Sequence, residues 1–404
     1  MGLLIFLLIV AAIAYRTATP EERMRFFQVV LRYVRQAKDA AASHGQSECE
    51  PFREGLRTRT RWVVVTPALV ALNVTIFVCM VFGSGALGDP ETIVGWGGNL
   101  GPRTTNGEWW RLVTAMFVHA GMLHLIVNSV GLVQVGVILE RLVGHLAFAA
   151  VYIGAGVLAS LVSLSGQPMT ASSGAGGAVF GVYGLLLASL IWGLFPRSTV
   201  TMPMTAVKRL APAAAVFLLY HIAGGGLDRT AGFAGLVVGF VCGLVLAIRV
   251  SDQKPPAYRV AAATLATATI AVAFAVPLRG VTDARPEIAR VAALEDRTAG
   301  AYEAVANRFR RGRAPVETLT TLIDRTITPE LKAARARLQT LAGVPPEQQP
   351  LVASAEEYLR LRDESWRLRA EGLNGANLRT LQRADLKERE SLKALKRIRS
   401  VDEK

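Results

Sequence analysis

The sequence predicts an all-α protein that crosses a membrane several times and carries a helical region at its carboxyl end. Three observations support this class. Of the 404 residues, 51% are hydrophobic and only 19% are charged. Apolar runs of about 20 residues, the length that crosses a hydrocarbon core, recur between residues 62 and 278. Lys and Arg outnumber Asp and Glu by 45 to 31, and basic segments beside apolar runs are typical of membrane proteins with cytoplasmic Lys and Arg.

The first region, residues 1–62, is predicted to hold a short anchor, a basic cytoplasmic helix and a linker. The apolar stretch 3–15 corresponds to roughly 20 Å of helix, which is short for a hydrocarbon core of about 30 Å. It lacks a basic flank and a clear cleavage site, so we interpret it as an uncleaved anchor. Residues 23–42 are amphipathic and basic, as expected of a helix on an anionic leaflet, and 44–60 are predicted to be a polar linker.

Residues 63–255 are predicted to form the membrane core, and 256–279 an additional transmembrane helix. The apolar runs place spans at 62–83, 113–138, 145–165, 174–194, 206–224, 231–250 and 258–278. The connections that carry Arg141, Arg197 and Arg249 alternate with connections poor in basic residues, which places the basic ones in the cytoplasm. The long connection 84–112 then lies outside. Counting seven spans from residue 62 places 280–404 outside as well.

Residues 280–404 are predicted to form a soluble, helical, coiled-coil-like domain. Charged residues are dense, and apolar residues recur at heptad-like spacing. We expect this seam to recruit a protein partner or to mediate self-association. Its members are Leu359, Trp366, Leu368, Leu381, Leu386, Leu392 and Leu395.

The predicted second span contains two polar side chains, His124 and Asn128. Their spacing of four residues places both on one helix face, one turn apart. An ionisable residue inside a span is costly and indicates a function. Short motifs surround this pair along the chain: Trp110-Arg111, the segment 119–128, Leu139-Glu140 before Gly144, the segment 174–181 with Gly174 and Gly177, and Gly235 with Gly239.

These motifs, in this order and on these spans, resemble those of the rhomboid intramembrane serine proteases. The resemblance covers residues 62–250 and implies a core of six helices, with a seventh added in many members. It also implies that the catalytic serine falls on position 176 and the catalytic histidine on position 232. The sequence has Gly176 and Gly232 there. By the same resemblance, His124 and Asn128 are remnants of the site that holds the oxyanion.

Acyl transfer requires a hydroxyl or thiol nucleophile and a base within hydrogen-bonding distance, and glycine supplies neither. The sequence therefore predicts a catalytically inactive protein that binds transmembrane helices of client proteins. An active serine endopeptidase with a rearranged site, using Ser173 and His221, is the alternative. A transporter or scaffold unrelated to the family is a third hypothesis, although no inverted repeat supports it.

Structural roles are the alternatives for the individual motif residues. His124 is then a histidine bonded to loop backbone, and Asn128 an interhelical hydrogen-bond donor. Trp110 is then an interfacial anchor, and Glu140 a cap or loop ligand. We expect no cofactor and no metal, because the histidines lack metal-ligand spacing and the three cysteines are far apart. Lipids and client helices are the expected partners, nucleic acid is not, and a bacterial inner membrane is the expected location.

The predicted topology places Cys49 and the carboxyl terminus on opposite sides of the membrane. An impermeant thiol reagent is expected to label Cys49 only from the cytoplasmic side. A reporter fused after Lys404 is expected to be extracytoplasmic. A cytoplasmic reporter would show that the count of spans is wrong by one.

Overall fold

The computed structural model of this chain describes residues 46–83, 87–193, 204–223, 229–247 and 254–402. Within these ranges the protein is helical, with no strand beyond an isolated bridge between Asn99 and Ser172. The chain divides into two compact units, Met1–Leu278 and Arg279–Lys404. The predicted anchor 3–15 and basic helix 23–42 lie outside the described residues.

The first unit, the membrane unit, contains eleven α-helices within the described ranges. They are α1 (Gln46–Arg59), α2 (Val65–Gly83), α3 (Pro90–Gly95), α4 (Gly101–Thr104), α5 (Arg111–Thr114), α6 (Met122–Val143), α7 (His145–Gly166), α8 (Gly176–Gly193), α9 (Met204–Ile222), α10 (Arg229–Leu246) and α11 (Ala257–Ala275). Five helices of the described residues are long and apolar enough to cross a membrane: α2, α6, α7, α10 and the segment Ala257–Leu278. The shorter α8 is also apolar. The prediction of a multi-pass helical bundle is confirmed.

The predicted start of the second span, residue 113, is wrong. Helix α6 begins at Met122, after α5 and a short 3-10 helix, Ala115–Phe117. Gly121, which precedes α6, has an extended backbone with φ −174° and ψ 164°, so one helix cannot run through it. An apolar run reports burial in a protein or a bilayer but not backbone continuity, so hydropathy gives no sign of this break.

The predicted end of that span and the predicted linker also differ from the structure. Helix α6 continues past residue 138 to Val143, because Glu140 is buried and hydrogen-bonded instead of solvated. Residues 46–59, most of the expected linker, form helix α1. Polarity suggested a linker, but Glu, Arg and Leu are good helix formers. Leu56 of α1 is buried in the core of the membrane unit.

Helices α8 and α10 are in direct backbone contact. A Cβ on Gly239 would overlap the carbonyl oxygen of Gly181, and a Cβ on Gly235 would overlap that of Gly177. A Cβ on Gly184 would overlap the carbonyl oxygen of Leu236. Small residues that allow such an approach are the usual basis of helix association in membranes. The spacing of these glycines along both helices therefore reflects packing.

The second unit, the C-terminal unit, contains five α-helices and one π-helical turn in its described part. They are α12 (Arg285–Arg310), α13 (Val316–Leu322), the π turn Ile323–Ile327, α14 (Thr328–Gln339), α15 (Gln349–Asn374) and α16 (Leu378–Asp402). Proline in the first turn favours the start of α12, α14 and α15. Only three residues separate α15 from α16, so these helices form a hairpin, in which the Ser365 hydroxyl donates to the carbonyl oxygen of Ala384 at 2.9 Å.

The C-terminal unit has its own core, which includes a buried ion pair. Arg362 donates two hydrogen bonds, of 2.8 and 2.7 Å, to the Glu295 carboxylate, and the Tyr358 hydroxyl donates a third at 2.7 Å. The Arg362 guanidinium also lies 4.5 Å from the centre of the buried Trp366 ring. Of the predicted seam, Leu359, Trp366 and Leu395 are buried inside this unit, whereas Leu386 and Leu392 are exposed. The seam is therefore only partly available to a partner.

Substituting Gly239→Ala tests the backbone contact between α8 and α10. The added methyl group overlaps backbone, which cannot rotate away, so we expect the unfolding free energy to fall by about 3 kcal/mol. Thermal unfolding in detergent measures this loss. The control Gly300→Ala lies in α12, where a Cβ meets nothing within 4 Å. It should be neutral or stabilise by up to about 1 kcal/mol. Equal effects of the two variants would contradict the packing.

Candidate functional site

The two positions of the expected catalytic pair lie on the closely packed helices. Gly176 is the first residue of α8, and Gly232 lies in the first turn of α10. Both glycines are buried. The glycine contacts described above hold these two helices together, so the framework that would bring a nucleophile and a base together is present. Neither position carries a side chain that accepts or gives a proton.

His124 and Asn128 are both buried in the first turns of α6, with exposures of 5% and 0%. The Asn128 amide Nδ2 donates to the backbone oxygen of His124 at 2.8 Å, within its own helix. The interhelical bond considered for Asn128 is therefore not its bond here. Its Oδ1 atom is buried and has no hydrogen-bond partner in the described residues.

Gly174 lies directly against the His124 ring. A Cβ at this position would overlap the imidazole, and the backbone has φ +103°, a conformation that side chains other than glycine rarely adopt. The Gly174 amide donates to the carbonyl oxygen of Ala115 at 2.8 Å. The residue is thus required for close approach and for backbone shape, and it brings the start of α8 against His124.

Three imidazole rings and a phenol ring form a cluster around His124, which we call the histidine cluster. The centre of the His124 ring lies 5.1 Å from that of His119, 6.4 Å from that of His221 and 6.1 Å from that of Tyr220. Helix α9 contributes Tyr220 and His221, and His119 precedes α6. The sequence indicates His221 as a candidate site residue but gives no sign of this cluster.

Hydrogen bonds to backbone oxygens determine which ring nitrogens of His119 and His221 can accept a hydrogen bond. Nδ1 of His119 lies 3.2 Å from the Phe117 oxygen, and Nδ1 of His221 lies 2.9 Å from the Phe217 oxygen. A carbonyl oxygen only accepts, so these Nδ1 atoms carry the hydrogen and Nε2 is an acceptor in the neutral ring. Nε2 of His119, His124 and His221 is buried without a hydrogen-bond partner in the described residues. Through His119 and His221 the cluster therefore offers acceptors to a bound group.

Ser173 and His221 are not hydrogen-bonded to each other. Ser173 lines a small cavity of about 30 Å³ between α7 and α8, and His221 is not among the residues that line it. His221 is instead bonded through Nδ1 to Phe217 in its own helix. Serines dominate the polar lining of the cavity: Ser160, Ser163, Ser172 and Ser173.

The connection that precedes α6 is held by Arg111. Its Nε lies 2.5 Å from the Glu108 carboxylate, and Nη1 donates to the carbonyl oxygens of Val94 and Gly98 at 2.5 and 3.0 Å. The hydrogen bond from Arg111 lowers the pKa of the Glu108 carboxyl below its usual range. Trp110, in contrast, is 51% exposed, with the Arg111 guanidinium 4.6 Å from its ring centre. Arg111 thus fixes the loop, whereas Trp110 projects from it.

A two-stranded contact joins this connection to the segment before α8. The Asn99 amide donates to the oxygen of Ser172 at 2.8 Å, and the Ser172 amide donates back at the same distance. The Gly101 amide donates to the oxygen of Pro168, also at 2.8 Å. The connection is therefore fastened to the backbone just ahead of Gly174.

Glu140 caps the start of α2 from the far end of α6. Its Oε1 accepts the amides of Val64 and Val65 at 2.7 and 2.8 Å, and its Oε2 accepts the amide and hydroxyl of Thr66 at 2.7 Å each. Nδ1 of His145 lies 2.7 Å from Oε1. A carboxylate at the amino end of a helix is stabilised by free amides and by the helix dipole. These contacts are those of the cap considered for Glu140.

We expect Glu140→Gln to reduce the unfolding free energy by about 3 kcal/mol. The glutamine NH2 group replaces one carboxylate oxygen and cannot accept the hydrogen bonds that this oxygen received, so buried donors at the start of α2 lose their acceptor. Unfolding in detergent at increasing denaturant measures the change. The control Glu91→Gln alters an exposed carboxylate in the first turn of α3 and should change stability by no more than about 0.5 kcal/mol. A Glu140→Gln variant as stable as the control would contradict the capping role.

Comparison with known proteins agrees with these features. Residues 106–251 match the Rhomboid domain family model. The chain is 29% identical over 228 residues to the rhomboid protease GluP of Bacillus subtilis, across 56% of this chain and 40% of GluP. It is 34% identical over 147 residues to RHOMBOID-like protein 5 of Arabidopsis thaliana, across 35% of this chain and 46% of that protein.

A further relative is Rhomboid-like protease 2 of Toxoplasma gondii, 31% identical over 175 residues, across 42% of this chain and 58% of that protein. The chain thus spans about half the length of these relatives. The matched residues 106–251 include α6, α7, α8, α9 and α10, with positions 176 and 232 among them. This protein is therefore a multi-pass membrane protein whose residues 106–251 are similar to the Rhomboid domain.

Proposed function

We propose that this protein is a catalytically inactive rhomboid that binds transmembrane helices of client proteins without cleaving them. The observation that carries the proposal is glycine at both positions of the expected catalytic pair, Gly176 and Gly232. Peptide-bond hydrolysis by a serine enzyme requires a hydroxyl and a base that accepts its proton. Loss of either group alone removes most of the rate.

The surroundings of the missing pair support a role in binding. The close contact of α8 with α10, the loop bonds of Arg111 and the placement of Gly174 against His124 are all present. A client helix interrupted by glycine or proline exposes backbone amides that lipid cannot satisfy. Nε2 of His221 is a buried acceptor without a partner in the described residues, which suits such amides. The domain then acts in sequestration, trafficking or quality control.

We propose that the C-terminal unit recruits a protein partner or a second copy through the exposed part of its seam, Leu386 and Leu392, when this surface is not in contact with a membrane. A coiled-coil pairing is one form of this contact. We also propose the inner membrane of a bacterium as the location. The similarity to a Bacillus subtilis protein supports it, and comparable relatives come from Arabidopsis and Toxoplasma.

The second candidate function is proteolysis with a rearranged site. The serine-lined cavity favours it, since Ser173 lies there beside Gly174 and Gly177. This function requires a base, and His221 would have to release its bond to Phe217 and reach Ser173. The two functions differ in one measurable property, which is the presence of an activated hydroxyl.

A serine-directed fluorophosphonate probe measures that property directly. The purified protein is expected to show background labelling only, and no cleavage of a rhomboid-type transmembrane substrate. The double substitution Gly176→Ser with Gly232→His is expected to produce labelling, because α8 and α10 still hold the two positions together.

The single substitutions are the matched controls. Each should stay near background, since nucleophile and base act as one unit. Strong labelling of the unmodified protein, removed by Ser173→Ala or by His221→Phe, is the result that would refute the inactive function and establish the rearranged site.

A further inference from the structure

The outer face of α16 carries a row of basic side chains. One side of this helix packs into the core of the C-terminal unit, with buried residues such as Ala384, Ser391 and Leu395. At 100° per residue, five exposed basic residues fall on the opposite side, within an arc of about 140° and over roughly 26 Å. We call this surface the cationic face; it consists of Arg379, Arg383, Arg389, Lys393 and Lys396.

These five side chains have no ion pair or side-chain hydrogen bond within the described part of the chain. Some cations elsewhere in the same unit are paired, such as Arg297 with Glu330 at 2.6 Å and Arg337 with Glu287 at 2.6 Å. No ion pair among the described residues thus neutralises these five cations, and Glu390, which lies in the same arc, is paired with Lys387 at 3.1 Å. A surface that carries many negative charges is complementary to the cationic face.

Exposed leucines accompany the cations. Leu378, Leu386 and Leu392 are 69%, 56% and 40% exposed, and all three lie on the outer side of α16. Leucine side chains contribute little to the binding of nucleic-acid phosphates. The headgroup region of a bilayer, however, accepts leucine and basic residues from one helix surface at the same time.

The chain itself keeps this unit close to a bilayer. Arg279, the first residue of the C-terminal unit, directly follows the candidate span Ala257–Leu278. A covalent tether raises the effective concentration of lipid at the unit, so that modest electrostatic attraction is sufficient for binding. We propose that the cationic face binds the anionic headgroups of the bilayer in which the protein is embedded.

The test uses the full chain with a polarity-sensitive fluorophore on Leu386→Cys, in a background where Cys49, Cys79 and Cys242 are alanine. The protein is placed in nanodiscs of phosphatidylcholine alone or mixed with phosphatidylglycerol. In anionic discs we expect the fluorophore's emission to be shifted to the blue relative to neutral discs. We also expect iodide to quench the fluorophore at least threefold more slowly in anionic discs. High salt should reverse both effects, because it screens exposed charges.

Two double variants with the same change in net charge distinguish an effect of the cationic face from an effect of overall charge. Arg389→Glu with Lys393→Glu should abolish the difference between the discs. Lys332→Glu with Arg335→Glu, which changes two exposed cations of α14, should leave it intact. A probe that reports the same environment in both discs would overturn the proposal, as would equal effects of the two variants. A response to RNA in neutral discs, without one to anionic lipid, would also overturn it.

Discussion

The backbone contact between α8 and α10 is the interaction on which the rest of the membrane unit depends. Gly177 and Gly181 face Gly235 and Gly239 so closely that no side chain fits between them. In a bilayer, burial of apolar surface does not drive helices together, so such close packing has to supply the cohesion. The contact fixes the distance between the amino ends of both helices, which carry positions 176 and 232.

The same contact explains how the two helices stay packed with glycine at both positions that were expected to be catalytic, 176 and 232. The packed residues are Gly177, Gly181, Gly235 and Gly239, so the contact does not depend on a side chain at position 176 or 232. Polar groups next to them are also retained: His124 against Gly174, and Arg111 on the loop carbonyls of Val94 and Gly98. Buried polar groups are costly when unpartnered, so the Nε2 atoms of His119 and His221 are suited to accept a hydrogen bond.

Much of the fold could be predicted from apolar runs, because length and composition decide whether a helix crosses a membrane. The errors have local physical causes. Gly121 interrupts a run that hydropathy treats as continuous. Glu140 looks like the end of a span until its four hydrogen bonds to Val64, Val65 and Thr66 at the start of α2 are visible. The histidine cluster joins residues about 100 positions apart in sequence, His119 and His221, so no spacing rule indicates it. Part of the predicted seam, namely Leu359, Trp366 and Leu395, lies in the core of the C-terminal unit, because heptad spacing cannot distinguish a partner within the chain from one outside it.

Retention of an intact client is the central claim, and photocrosslinking measures it most directly. A photoreactive amino acid at the exposed Phe233, next to Gly232, is placed in the full chain. The chain is then reconstituted with a single-span test protein whose transmembrane segment carries a Gly-Pro pair. The account predicts a crosslinked product with the mass of both intact chains, and no fragments after prolonged incubation. Fragments cut within the transmembrane segment, free or crosslinked, would contradict it.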